Sequence, residues 1–412
     1  MSTYLDASAM AAALKELYNG QSLINATYKE NPLLALLPKD TDFGGSSMPL
    51  PLRYNNSQGR SSTFATAQTN QQAPSMVKFA ITTVEDYSIA TVANKVLEES
   101  KGNAKAFLGA AKINMDSARD SLISSLASAL YRDGTGTIGK IASGGITSGV
   151  ITLDDDSTVT QFEVGMTLQA NSTSGGGTTR AGTGYVISVD RDAGTVTVAS
   201  SGQGGTGNQP SGWVAGDFLS VSGDLNEKIS GLAAWIPSSA PSATSFFGVD
   251  RTKDVTRLGG IRWTGTSQSI EEALSDAQAR CAREGGSPMH CFMSFESFAA
   301  LVKSLSSKVQ YVNLSPKEAP HIGFEGVKVN GHKGPITVVP DRNCPGNIAY
   351  LLQLDTWKLW STGPAPRVLT YDMEGLQALR VANADALEMR FGYYAQLACN
   401  MPGANAVVSL SA

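Results

Sequence analysis

The sequence predicts an α+β chain that carries a separate, small all-β module. Three observations point there. One amphipathic stripe runs over 103–131, a Gly/Ser/Thr-rich window follows over 134–224, and the last third alternates short apolar runs with turns. The chain has 412 residues, 42% hydrophobic and 17% charged, with a net charge of −4. At about 150 residues per domain this length allows two or three domains. Soluble domains average about 25% charged residues. So few charges fit a membrane protein, a low-complexity chain, or a surface covered largely by partners.

Composition removes several function classes. No apolar run approaches the roughly 20 residues of a membrane-spanning helix; Ile348–Leu352 is strand-sized. The start, MSTYLDASAM, lacks the basic and apolar regions of a secretory signal, so a reducing cytoplasm is expected. Cys281, Cys291, Cys344 and Cys399 are too scattered for a disulfide framework or a CxxC zinc site. The slightly acidic balance gives no footprint for sequence-specific nucleic-acid binding.

The elements follow in order. Asp6–Asn19 reads as a short amphipathic helix, and Pro32 and Pro38 bracket the apolar Leu33–Leu37. Phe43 to Tyr87 is poor in helix signal, with Gly44-Gly45, Met48-Pro-Leu-Pro51, Asn55-Asn56 and Ala73-Pro74. Extended runs at Leu50–Tyr54, Ser62–Ala67 and Val77–Val84 predict a long two-stranded excursion with a polar tip from Asn55 to Gln72. Such a hairpin is marginal alone in water and should lie on something else. From Asn103 to Tyr131, Ala104, Leu108, Ala111, Met115, Ala118, Leu122, Leu126 and Ala129 recur at steps of three and four, which is one helical face. Asn103 caps it, Asp133-Gly134 stops it, and Gly102 separates it from Val92–Glu99. The rod is roughly 45 Å long at 1.5 Å per residue.

Residues 134–224 hold 20 Gly, 14 Thr and 11 Ser, with eight acidic against three basic residues, a net of −5 that leaves the rest of the chain at +1. This shift marks a module. Within it, Gly184–Val189 and Thr195–Ala199 flank Asp190-Arg-Asp-Ala-Gly194 as a hairpin. Phe162-Glu-Val-Gly-Met-Thr-Leu168 and Trp213-Val-Ala-Gly-Asp-Phe-Leu219 read as two copies of one strand entry. A small antiparallel barrel or sandwich is expected. Beyond it, Ser269–Arg283 is a helix with a Ser269/Glu272 capping box and a Gly285-Gly286 stop. His290–Ser294 is a buried strand and Phe295–Ser306 a helix with Phe298, Leu301, Val302 and Leu305 on one side. Strands follow at Val327–Val329, Ile336–Val339, Ile348–Leu354, Arg367–Tyr371, Leu376–Ala382 and Ala386–Ala398.

Motifs that carry chemistry are weak. Gly134-Thr-Gly-Thr-Ile-Gly139-Lys140-Ile141 matches a phosphate loop in outline. It has Ile141 where magnesium binding needs Ser or Thr, and it follows a helix and enters a β region, the reverse of the required order. Gly202–Gly207 fits GxGxxG within a low-complexity loop. Asp154-Asp-Asp156 and Asp190/Asp192 lack the continuation of a calcium loop and read as solvated turns. His290, His321 and His332 form no HExxH, and GxSxG is absent. No catalytic, metal or cofactor site is predicted. Trp357 and Trp360 around Lys358 read as a strand packing on two faces.

The order of elements, with the long helix ending Leu130-Tyr-Arg-Asp-Gly-Thr-Gly136, the Phe292-Met-Ser-Phe-Glu-Ser-Phe-Ala-Ala-Leu301 strand-to-helix segment and Met389-Arg-Phe-Gly-Tyr-Tyr-Ala395, resembles the major capsid proteins of tailed bacteriophages, the Hong Kong 97-type fold. The resemblance implies an N-terminal arm (1–45), an extended E-loop with its return strand (46–90), the spine helix of a peripheral domain (91–138), an inserted β-barrel or sandwich on the outer surface (139–226), a mainly axial domain (227–340) and closing strands (341–412). It implies a structural, non-enzymatic protein that assembles through hexamers and pentamers into an icosahedral shell around double-stranded DNA, in the virion, after assembly in the bacterial cytoplasm. Its partners would be itself, a separate scaffolding protein (no coiled-coil segment precedes the arm), a portal, a decoration protein, and packaged DNA touched without sequence specificity; no membrane and no cofactor are implied. Arg53, Arg60, Phe64 and Lys78 in the E-loop would touch a neighbouring subunit, and with no matching site for Lys78, no Lys–Asn crosslink is expected. Two other readings remain open: an encapsulin-like nanocompartment shell, and, from another class, a soluble hydrolase using Cys291 and His290. A β-rich adhesin is suggested by 134–224 alone.

Overall fold

Pro32 fixes the first turn of α1 (Pro32–Leu36), and Leu33 and Leu34 are buried. The computed structural model describes residues 31–94, 104–305, 311–313, 325–370, 378–381 and 384–411. The expected helix Asp6–Asn19, the cap Asn103, Gly102 and His321 lie outside these residues. After β1 (Lys39–Asp40), β2 (Met48–Arg53) and β3 (Met76–Ile81) form an antiparallel hairpin. Its tip differs from expectation: Ser62–Ala67 is not extended, and Phe64–Thr69 forms a helix, α2. Among the described residues no strand pairs with Ser62–Ala67, while Ala65, Ala67 and Gln68 favour helix, so local propensity decides there.

β4 (Val84–Ala93) leads toward α3 (Ala104–Ala129), the long helix expected from the stripe. Of its stripe members whose burial is described, Met115, Leu122, Leu126 and Ala129 are buried and Ala118 is half-buried. They join a core with Phe391, Tyr393 and Trp357.

The glycine-rich window builds β5 (Thr137–Thr147), β6 (Val150–Leu153), β7 (Thr167–Thr173), β8 (Gly176–Thr179), β9 (Gly184–Asp190), β10 (Thr195–Ala199) and β11 (Phe218–Val221). The order β11-β5-β6-β10-β9-β7 closes on itself because β7 pairs β11, with β8 added beside β7. The result is a closed antiparallel barrel, which leaves few free edges. Its own core holds Ile141, Phe162, Leu168, Val186, Val196, Trp213 and Leu219. The two repeated strand entries are neighbours, with Leu219 opposite Ala170. Each copy buries its aromatic (Phe162, Trp213) and its leucine (Leu168, Leu219) around a glycine at positive φ, 99° at Gly165 and 88° at Gly216. Entry and exit of the barrel are side by side, since Thr137 pairs Ser220.

The rest is a second α/β layer and a return to the first sheet. After α4 (Leu232–Trp235), a seven-stranded mixed sheet runs β12-β22-β17-β13-β16-β15-β14. Its strands are β12 (Ile261–Thr264), β13 (His290–Met293), β14 (Tyr311–Asn313), β15 (Glu325–Gly331), β16 (Gly334–Pro340), β17 (Ile348–Leu352) and β22 (Ala406–Ser409). α5 (Ile270–Arg283) has the expected capping box and buries Ala273, Leu274, Ala277 and Cys281 against it. α6 (Phe295–Leu305) adds Leu301 and Leu305. The first sheet joins β1, β4, β18 (Trp357–Ser361), β19 (Arg367–Val368), β20 (Ala378–Arg380) and β21 (Ala386–Cys399). β21 is the long aromatic strand of the sequence, and it pairs β4 from Ala386↔Ala93 to Ala395↔Val84.

Candidate assembly interface

Strict alternation gives the β2–β3 hairpin two different faces. Along β2, Met48, Leu50 and Leu52 turn inward while Pro49, Pro51 and Arg53 are exposed. Along β3, Phe79 and Ile81 are fully buried while Met76 and Lys78 are exposed. The root lies on this chain itself. Phe79 packs against Trp235 at 5.2 Å between ring centroids, and Trp235 meets Phe246 edge-on at 5.1 Å. The Ala80 N–H donates to the Phe247 carbonyl at 2.9 Å. Arg257 Nη1 donates to the Tyr54 carbonyl at 2.6 Å. Arg251 stacks on Phe246 at 4.1 Å and donates to the carbonyls of Ala234 and Trp235. Burial lowers its guanidinium to about 10.

The tip is different. No residue of α2 is buried, and Phe64 is 84% exposed. The tip is held by its own polar contacts: Gln58 and Gln72 exchange backbone hydrogen bonds at 3.0 and 2.9 Å, and Asn55 Nδ2 donates to Ser75 Oγ at 2.9 Å. From Phe43 to Val84 there is no acidic residue, and Arg53, Arg60 and Lys78 give a charge of +3. The structure therefore places the four predicted residues on one projecting element. Arg53 and Lys78 share the outward face, paired with Met76 and Pro51, and Arg60 and Phe64 are exposed at the tip. A mostly apolar ring standing in water gains free energy by burial, and a cationic, acid-free surface favours an acidic partner.

A second cluster escaped sequence reasoning. Asp341, just past β16, accepts from Tyr131 Oη at 2.8 Å, from the Asn343 N–H at 2.9 Å and from the Leu33 N–H at 3.5 Å. Asn343 Nδ2 also donates to Asn31 Oδ1 at 2.9 Å. This node ties the first described residues to the end of the long helix and to the α/β layer. Burial raises the Asp341 carboxyl, partly offset by these hydrogen bonds. A lone Asp after a strand carries no sequence signal for it. Nearby, Lys228 Nζ reaches Asp86 at 2.6 Å, Asp224 at 3.0 Å and Ser125 Oγ at 3.0 Å, fixing the barrel exit to β4 and α3. The barrel also contacts the α/β layer through the Gly346 N–H, which donates to Ser157 Oγ at 3.2 Å.

The chemical motifs take structural roles. His290 and Cys291 are consecutive on β13, so their side chains point to opposite faces and cannot act together. Cys291 is fully buried, which pushes its thiol well above the ordinary range. Lys140 lies in β5 and pairs with Asp154 at 2.9 Å. Asp155 caps a short 3₁₀ turn, and Asp190 accepts from the N–H groups of Asp192 and Ala193. Trp357 is buried, while Lys358 Nζ lies 4.6 Å from the Trp360 ring. Among the described residues, no three ligating side chains come together and no helix is long and apolar enough to cross a membrane.

No family model and no curated protein matches the chain. Solved structures do. A chain of the cyanophage A-1(L) capsid asymmetric unit superposes with a TM-score of 0.52 at 13% identity, over 92% of each chain. The chain has the Hong Kong 97-type fold. Weaker likenesses include the capsid of a native GTA particle (TM-score 0.45, 11% identity, 94% of this chain and 91% of that one) and the holo-SrpI encapsulin complex of Synechococcus elongatus PCC 7942 (0.40, 9%, 92% and 86%). These two carry no argument by themselves.

Proposed function

We propose that this chain is a major capsid protein, which closes through six- and five-fold rings of itself into an icosahedral shell around phage double-stranded DNA. The observation that carries the reading is a projecting hairpin whose tip helix buries nothing in its own chain, on a fold shared over 92% of the chain with one from a cyanophage capsid. In this layout α3 is the spine of the peripheral domain, the mixed sheet is the axial domain, and the barrel is an insertion on the outer surface. Residues 46–90 act as the E-loop with its return strand. Arg53, Arg60, Phe64 and Lys78 touch the neighbouring subunit.

The mechanism is structural. The hairpin root is anchored by Phe79 and Trp235, so the tip is presented at a fixed angle and not searched for by a free loop. Association buries Phe64 and the outward face, and ring closure repeats that contact around the symmetry axis. Low surface charge then reflects interfaces depleted in charge. No catalytic group is required. A separate scaffolding protein, a portal and a decoration protein are the expected partners, with non-specific contact to packaged DNA, and the product resides in the virion. Light scattering of the purified chain tests this: pentamers, hexamers or larger closed assemblies support it, and a monomer at every concentration, with scaffolding protein added, contradicts it.

A further inference from the structure

The hairpin has one edge closed by proline. The Tyr54 N–H donates to the Ser75 carbonyl at 3.3 Å. Backbone groups alternate sides along an antiparallel strand. The N–H groups of 48, 50 and 52 therefore face β3, and positions 49, 51 and 53 face away. Two of those three positions, Pro49 and Pro51, have no N–H to offer. The same alternation in β3 sends the Ala80 N–H outward, and there it meets the Phe247 carbonyl. The outer edge of β2 thus shows carbonyls at 49 and 51, with its single donor at Arg53. An added strand needs donors and acceptors in alternation, and an unguarded edge is a template for another chain. Pro is tolerated in sheets where its missing N–H faces outward on an edge strand, which is the situation at both positions. Its side chains are not needed for packing, since both point to solvent.

We propose that Pro49 and Pro51 bar copies of this chain from joining hairpin to hairpin along β2, so that a second copy meets the hairpin by its outward face and tip. This rests on the shell reading, in which many identical hairpins are brought close together. Face docking allows closed rings, whereas edge pairing of β2 with β2 continues the sheet between particles and competes with closure.

The test is the double variant Pro49→Thr/Pro51→Thr. It restores two outward N–H groups with a strand-forming residue and leaves the buried face unchanged. Wild type and variant are compared by sedimentation, electron microscopy and thioflavin fluorescence. The expected result is a several-fold rise in irregular, thioflavin-positive aggregate and a matching loss of closed particles. Particles in wild-type yield with no new aggregate overturn the proposal and leave the shell reading standing. Wild type that never assembles sinks the shell reading, while the difference in aggregation between the two chains still decides the role of the prolines. If the double variant loses its thermal transition, Pro51→Thr alone, which leaves position 49 closed, is read in the same way.

Discussion

At the scale of single residues, two phenylalanines of the hairpin separate folding from assembly. Phe79 is fully buried against Trp235, so Phe79→Ala should cost about 3–5 kcal/mol in urea unfolding. Phe64 is exposed, so Phe64→Ser should change stability by less than about 0.5 kcal/mol yet reduce assembled material in sedimentation. Arg53→Glu with Lys78→Glu should likewise abolish assembly without lowering the melting temperature, and wild-type assembly should weaken as salt rises. Asp341 gives a pH signature. Its carboxyl titrates above the ordinary value because burial disfavours the charge. The folded state then binds a proton more tightly than the unfolded one, so this group's contribution is greatest at low pH and is lost as pH rises through the raised value. Asp341→Asn removes that loss, so the melting temperature of wild type relative to the variant should fall as pH rises above the ordinary carboxylate value of 3.8. A constant difference contradicts it. The exposed hairpin residues were anticipated from the polar tip and from the resemblance that made this stretch a projecting loop. The Asp341 node was not, because it joins residues more than 200 positions apart and no local pattern marks such a contact.

At the scale of elements, the barrel is separable. Its first and last strands are paired at Thr137 and Ser220, and its core is its own. Replacing 140–225 by a short linker should leave a cooperative thermal transition and the far-ultraviolet signature of the remaining helices and sheets. A wholly insoluble product shows instead that the barrel is needed for folding. Removing it also removes Asp224, one of two carboxylates on Lys228, so a loss of about 1 kcal/mol is expected from the broken pair. Most elements were readable because period and punctuation agree: steps of three and four over α3, the Ser269/Glu272 box on α5, and the repeated strand entries of the barrel. α2 was misread because Ser62–Ala67 lacks an apolar period. Its alanines and glutamine favour helix, and with no strand pairing the tip among the described residues, that local propensity decides.

At the scale of the whole molecule, the low charge has a physical account. The barrel concentrates an excess of acid, the hairpin segment carries only bases, and the remainder is close to neutral. Such a chain repels its own copies weakly, and opposite charges on different modules favour contact between copies over isolation in water. In the proposed assembly the closed barrel and the proline-guarded β2 edge both limit sheet extension, and the tip and outward face of the hairpin are the surface proposed for association. The fold could be anticipated from element order, but which surfaces stay uncovered required the packing, since burial of Phe79 and exposure of Phe64 follow no difference in residue type. The central claim is that identical copies close into a shell with each hairpin tip seated on a neighbour. Electron cryomicroscopy of assembled wild-type chain tests it most directly. The account predicts closed particles of five- and six-membered rings with Phe64 covered by the adjacent subunit. Closed particles with the tip standing free in solvent, or a chain that stays monomeric under all assembly conditions, contradict it.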